Sequence, residues 1–303
     1  MDVRRFLSQV TNTRGWRDQI VHLQDIPARP ARYSKPAEQL PEPIVEALHR
    51  LDIQRLYIHQ ARAIDLAREG RDFVVVTGTA SGKTLCYNIP IAECLLNDRN
   101  ATALYLFPTK ALAQDQLRGA NRFFTQIPGA NVDAGVYDGD TPPDTRRTLR
   151  DSGQLIFTNP DMLHSGILPN HARWAQFFER LRYVVIDEVH TYRGVFGSHV
   201  AAVLRRLERV CRHYDARPQY LMSSATIANP EELASTLIGR DVVLIDDDGS
   251  PRGAKSFALW NPPFIDDGER VQRLSSLTEA QRLMIDLIED DIQTIAFVRT
   301  RKM

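Results

Sequence analysis

A chain of 303 residues, 25% charged and 43% hydrophobic, has the composition of a folded, soluble protein with room for two domains that each bury a core. Lysine plus arginine and aspartate plus glutamate both number 38, so the formal net charge is zero. That balance argues against a histone-like protein that holds nucleic acid by bulk charge, while leaving local phosphate-gripping patches and backbone amides open.

Cys86, Cys94 and Cys211 form no CxxC pair and no even framework, so neither disulfides nor a structural zinc site are expected, and a reducing cytoplasm fits. Cys211 and His213 are too few for a metal site. The opening MDVRRFLSQVTN lacks the apolar core of a signal peptide, and no apolar run reaches membrane-spanning length. The expectation is a cytoplasmic protein with no membrane partner.

Residues 1–50 are polar and punctuated by Pro27, Pro30, Pro36, Pro41 and Pro43, which predicts an extension with one or two helices. Residues 51–248 alternate apolar strand-like runs with helical patterns, and strands are expected at 73–77, 103–107, 133–136, 154–158, 183–187, 219–223 and 241–245. This alternation predicts an α/β fold, a parallel sheet flanked by helices on both faces, with ligands beyond the carboxyl ends of the strands.

The first of these strands runs into TGTASGKT, Thr77 to Thr84, followed by an apolar helical segment. Strand, glycine-containing loop, Lys-Thr and helix are the context of a phosphate loop. Backbone amides of Thr77, Gly78, Thr79, Ala80, Ser81 and Gly82 can surround phosphate oxygens at the helix N-terminus. The Lys83 ammonium then meets the β- and γ-phosphates, and the Thr84 hydroxyl ligates Mg²⁺. Thr77 stands where the GxxxxGK[ST] pattern has its first glycine. The bland alternative is an ordinary turn with an exposed lysine; the downstream acids count against it.

Those acids follow the strand at 183–187, in YVVIDEVHTYRG. Tyr183 to Ile186 form a continuous apolar run, as in a strand covered on both faces. Adjacent carboxylates at a strand end diverge, so Asp187 and Glu188 are not two acids sharing a proton. In a phosphate-loop NTPase, Asp187 suits Mg²⁺ and Glu188 suits orienting and deprotonating the attacking water. Beyond them, Phe196, Val200, Val203, Leu204, Leu207 and Val210 predict a core-facing helical stripe. Asn229, Pro230 and two glutamates predict a helix start.

Residues 249–303 change in texture. The stretch DDDGSPRGAKSFALWNPPFIDDGER, 246–270, is rich in acids, glycine and proline and reads as an interdomain connection. Ser276 and Glu279 fit a capping box at a further helix, and TIAFVRTRKM predicts one more strand, an incomplete start of a second domain.

In order, these motifs resemble the superfamily-two DEVH-box helicases. LYIHQ resembles the adenine-reading motif, with Gln60 as reader. LFPTKALAQDQ, YDGDT and TNPDMLH resemble strand-tracking motifs, which implies that Pro108, Thr109, Lys110, Gln114, Gly139, Thr158, Asn159 and Pro160 hold nucleic acid. MSSAT resembles the motif that couples hydrolysis to strand binding, through Ser224, Ala225 and Thr226, with His190 as a relay to the acids. IAFVRTRK resembles the first motif of a second RecA-like domain. HTYRGVFGSHVA and LWNPPF narrow the likeness to the bacterial MrfA (YprA-like) and fungal Hrq DNA repair helicases. The resemblance implies a RecA-like fold and ATP and Mg²⁺ as cofactors. It also implies ATP-driven 3′-to-5′ movement on single-stranded or partly duplex DNA, and a role in repair. The family's zinc-binding region and later motifs of the second domain are absent, including the arginine motif that reaches the γ-phosphate. The chain is therefore expected to be the N-terminal motor portion of a longer protein, or a naturally truncated one. An RNA helicase and an ATP-dependent binding module without turnover stay open beside the DNA helicase.

Overall fold

Seven runs of β-favouring residues line up in one sheet in the computed structural model, which describes residues 3–12, 18–266 and 271–297. They are Phe73–Val76 (β1), Thr102–Leu106 (β2), Ala134–Val136 (β3), Leu155–Thr158 (β4), Leu181–Ile186 (β5), Gln219–Ser224 (β6) and Val243–Ile245 (β7). Every pairing is parallel, in the spatial order β7-β1-β6-β5-β2-β4-β3. Each of the seven strands expected within residues 51–248 is present, with no end displaced by more than two residues.

Side chains of a strand alternate between the faces of its sheet, and the core divides accordingly. Phe73 and Val75 of β1, with Ala103, Tyr105 and Phe157, belong to one apolar cluster. Val74 and Val76, with Leu104, Leu106, Val184 and Ile186, belong to the other. Helices Glu42–Arg50, Ile58–Arg68, Lys83–Asn97 and Lys110–Phe124 cover the first face through Ile44, Ile64, Ile89 and Phe123. Helices Pro143–Ser152, Gly194–His213 and Pro230–Ile238 cover the second through Leu149, Leu207 and Leu237. Burial on both faces explains why the strands are mostly apolar rather than alternating.

One residue of the expected stripe lies outside. Val200, Val203, Leu204 and Leu207 are buried, but Phe196 is 42% exposed. It sits in the first turn of its helix, where its ring meets Tyr192 at 5.7 Å instead of the sheet.

The chain divides into two units, residues 30–251 and residues 1–29 with 252–303. Residues 1–50, expected as one extension, are shared between them, because the helix Glu42–Arg50 buries Ile44, Ala47 and Leu48 in the sheet-bearing unit. In the other unit, helix Val3–Asn12 is followed by strand Ile20–Ile26, which was not expected and which pairs antiparallel with Lys255–Trp260. Phe264–Asp266 pairs with Val271–Arg273, and helix Ser276–Glu289 follows. The cap of that helix is Ser275, not Ser276, its hydroxyl accepting from the Leu277 amide at 3.3 Å. Glu279 does not close a capping box; its carboxylate accepts from the Trp260 indole at 3.0 Å, a donor that needs a partner once partly buried. The strand expected within 294–303 is absent from 294–297, and its remainder lies outside the described residues. Among the described residues no helix is long and apolar enough to cross a membrane.

Gly153 ends the helix Pro143–Ser152 and leads into β4. A Cβ there would fall 2.4 Å from the Leu149 carbonyl oxygen and 2.8 Å from Ile156. Gly153→Ala should therefore lower unfolding stability by about 1–3 kcal/mol in a urea titration. Gly119→Ala, mid-helix with nothing within 4 Å of the added carbon, should raise it by about 0.5–1 kcal/mol. Equal responses at the two positions would show that the close approach at Gly153 has no energetic weight.

Candidate nucleotide and nucleic-acid site

The carboxyl end of β1 turns through Thr77–Gly82 into the helix Lys83–Asn97. Ala80 and Gly82 adopt left-handed φ of +57° and +76°. Gly82 is required twice over, since a Cβ would also meet the Gln60 amide nitrogen at 2.6 Å. The absent first glycine has a counterpart: Thr77 is buried, and its hydroxyl bonds the Ser81 hydroxyl at 2.6 Å across the loop. Lys83 Nζ donates to the Thr77 and Gly78 carbonyls at 3.1 and 3.3 Å, so the ammonium lies over the loop. Backbone amides at a helix N-terminus around an ammonium form an anion cradle, and the loop fits a triphosphate.

Asp187 follows β5, which is separated from β1 by β6 alone. It is 5% exposed and accepts from the Ser223 hydroxyl and, at 3.0 Å, from the Glu188 amide. Burial pushes its carboxyl above the ordinary 3.8, a shift that the Ser223 bond opposes. Glu188 is a non-glycine residue at φ +55°, a conformation that costs about 1–3 kcal/mol and clusters at functional sites. This turn separates the two carboxylates. Thr191 anchors it by donating its amide and hydroxyl to the Glu188 carbonyl, each at 2.8 Å. The Glu188 carboxylate then lies 3.1 Å from His190 Nδ1, and the same nitrogen is 3.2 Å from the Ala225 amide. One nitrogen cannot donate to a carboxylate and accept from an amide at once, so the proton on His190 selects between Glu188 and Ala225.

Thr84 and Asp187 offer a hydroxyl and a carboxylate, hard oxygen donors that fit Mg²⁺. That ion is usually held by one or two carboxylates together with substrate phosphates. Among the described residues no group of three or more His, Cys, Asp or Glu forms a cage. The Thr84 hydroxyl donates to Gln116 at 3.4 Å. Gln60, 2% exposed, accepts from the Tyr57 amide at 2.9 Å and donates to the Gly82 carbonyl at 3.0 Å, tying the loop to the chain before its helix. Ser224 is buried, its hydroxyl on the Ala225 carbonyl at 2.9 Å, and Thr226 is exposed.

The strand-tracking residues follow β2, β3 and β4, on the same sheet edge but the opposite half. Thr109 caps the helix Lys110–Phe124 by accepting from the Leu112 amide at 3.3 Å. Lys110 is exposed, pairs with Asp140 at 2.7 Å and passes over Gly139. Gln114 is exposed, Pro108 is partly so, and Asn159 accepts from the Met162 amide at 2.8 Å as a cap. Two expectations need correction. The Thr158 side chain is buried and its hydroxyl donates to the Tyr137 carbonyl at 2.6 Å, and Pro160 is buried at the first position of its helix. Neither side chain reaches the surface, because the end of β4 turns inward to pack. Nearby, Arg146 is partly buried, and its guanidinium donates to the Asp138 carbonyl at 2.6 Å.

Four residues with a part in this geometry escaped the sequence reading. Ser223 and Gln116 stand inside quoted motifs beside residues that were chosen, and His59 precedes Gln60. Asp248 had no signal at all, since only the fold brings it to Gly78.

The model of the DEAD/DEAH box helicases matches residues 57–233. The uncharacterized ATP-dependent helicase YprA of Bacillus subtilis is 44% identical over 298 residues, covering 98% of this chain and 40% of that protein. The ATP-dependent helicase HRQ1 of Saccharomyces cerevisiae is 39% identical, covering 99% of this chain and 28% of its own length. A crystal structure of the DUF1998 helicase MrfA bound to DNA and AMPPNP superposes with a TM-score of 0.92 at 44% identity, over 99% of this chain and 41% of that one. The chain thus spans less than half the length of each of these three proteins. Its sheet is RecA-like, as theirs is, and the chain belongs to the DEAD/DEAH box helicase family.

Proposed function

We propose that this chain is the ATP-binding motor portion of a DNA helicase, with hydrolysis coupled to movement along a single strand. The observation that carries it is the division of one sheet edge. Phosphate loop, Asp187, Glu188 and the His190–Ala225 contact follow β1, β5 and β6, while Thr109, Lys110, Gly139 and Asn159 follow β2, β3 and β4. Gln60 selects adenine, the loop amides of residues 77–82 and Lys83 hold the phosphates, and Thr84 with Asp187 holds Mg²⁺. When bound, that ion neutralises charge developing on the phosphates. Glu188 orients the attacking water and takes its proton. His190 passes the state of Glu188 to Ala225 and its neighbours Ser224 and Thr226.

DNA as the substrate rests on the likeness to MrfA, crystallised with DNA. Movement 3′ to 5′, a repair role and a cytoplasmic setting rest on the motif resemblance and on the unpaired cysteines. Residues 51–248 act as the first RecA-like domain, and 249–303 connect to the start of a second.

The test is ATP hydrolysis by this chain with no nucleic acid, with single-stranded DNA and with single-stranded RNA. Stimulation by DNA above RNA is expected. Equal or greater stimulation by RNA would favour an RNA helicase, and ATP binding without turnover would favour a binding module that needs the rest of a second domain.

A further inference from the structure

The phosphate loop is gripped by a second polar network, which starts in the segment after β7. Asp248, 5% exposed, directs one carboxylate oxygen to the Gly78 amide at 3.3 Å. Its other oxygen accepts from the amide and hydroxyl of Ser250 at 2.9 and 2.6 Å. One residue along, the Gly249 amide donates to His59 Nδ1 at 3.1 Å, and His59 Nε2 meets the Ser81 carbonyl at 3.0 Å. An amide can only donate and a carbonyl can only accept. A neutral imidazole with its proton on Nε2 is the one state that serves both partners. Its 1% exposure favours the same state.

The segment is fixed from behind as well. Arg32 pairs with Asp247 and donates to the Asp248 carbonyl at 3.1 Å, while its backbone amide donates to the Gly249 carbonyl at 2.8 Å. There is no slack. A Cβ on Gly249 would fall 2.6 Å from the Arg32 carbonyl oxygen and 2.9 Å from the Ile58 amide nitrogen. Two consecutive residues, Asp248 and Gly249, are thereby tied to Gly78 and Ser81, three residues apart in the loop.

We infer that His59 and Asp248 are positioning residues for the nucleotide site, and that they link the phosphate loop to the segment 246–251 leading into the second unit. This rests on the phosphate-loop reading above. A loop that shifts to take a triphosphate pulls on both ties together, so nucleotide occupancy is felt at residue 251 without contact between nucleotide and segment. Buried, fully paired polar groups transmit such a shift because breaking either tie leaves an unsatisfied donor or acceptor.

The test compares the wild-type chain with His59→Phe, which keeps the ring and loses both bonds, with Asp248→Asn, and with the double variant. A fluorescent ATP analogue with Mg²⁺ gives affinity, and trypsin cleavage after Arg252 and Lys255, with and without ATP, reports the segment. Each single variant should bind the analogue about three- to tenfold more weakly. The double variant should bind no more weakly than the weaker of the two single variants, because both act through the same link. The effect of ATP on cleavage should be present in the wild type and lost in the variants, while His59→Gln, which keeps a donor toward Ser81, should fall between. Melting temperature without nucleotide separates positioning from stability. Wild-type affinity and nucleotide-dependent cleavage in both variants would overturn the inference, as would weaker binding that only follows lost stability. A wild-type chain that binds no analogue, like Lys83→Ala, would overturn the phosphate-loop reading itself.

Discussion

Glu188→Gln should lower ATP turnover by about a hundredfold to ten-thousandfold while leaving ATP affinity within about twofold, the range expected for loss of a general base. The substitution keeps the shape of the side chain, so it tests charge and proton affinity rather than packing. Glu188 is the more exposed carboxylate of the pair, in contact with His190 at 3.1 Å. Asp187 is buried against Ser223, whereas Glu188 is turned out by its left-handed backbone and keeps 30% of its side chain exposed. Single-turnover hydrolysis beside equilibrium binding of an ATP analogue separates the two effects. Undiminished turnover in the variant would mean that the water is activated elsewhere.

Asp187→Asn should cut Mg²⁺-dependent turnover by on the order of a hundredfold or more, yet raise the melting temperature of the nucleotide-free chain. An asparagine oxygen can still accept from the Ser223 hydroxyl and the Glu188 amide, so the hydrogen bonds to Asp187 survive. What disappears is a buried negative charge. The folded-state carboxyl lies above its ordinary 3.8, so between the two values the folded chain binds more protons than the unfolded one. Stability of the wild type therefore falls as pH rises through that window, and the deficit persists in neutral buffer. The stability gain of the variant should be larger in neutral than in acidic buffer, measured by thermal unfolding. Mg²⁺ with nucleotide should stabilise the wild type and not the variant. A variant that melts below the wild type at neutral pH would show that Asp187 is a structural acid whose charge the fold needs.

Both predictions concern residues singled out before any coordinates, because the pattern that marks them is local in the chain. A phosphate loop needs a strand, a turn and a helix contiguous in the chain, and Phe73 to Asn97 supply all three in order. The acids needed only to follow an apolar strand. Burial on both faces also made the seven strands legible, since a parallel sheet covered by helices leaves uninterrupted runs such as Phe73–Val76. The misreadings share a cause as well. Thr158 and Pro160 stand in a motif that resembles a nucleic-acid contact, but which atoms of a motif face outward depends on how the strand end packs. Ser276 and Glu279 matched a cap by spacing, and the indole of Trp260 claimed the glutamate.

The sequence alone determined the fold class, the strand, loop and helix of residues 73–97 and the two adjacent acids after an apolar strand, because each depends on residues close together in the chain. Tertiary structure alone decided three things. It set the strand order that places nucleotide and strand-tracking motifs on opposite halves of one edge. It chose Ser223 as the partner of Asp187. It brought Asp248 and Gly249 back to a loop at residues 78–81. These are contacts between distant segments, formed only when the sheet closes and buried donors must find acceptors, and no local pattern of residue types encodes that pairing.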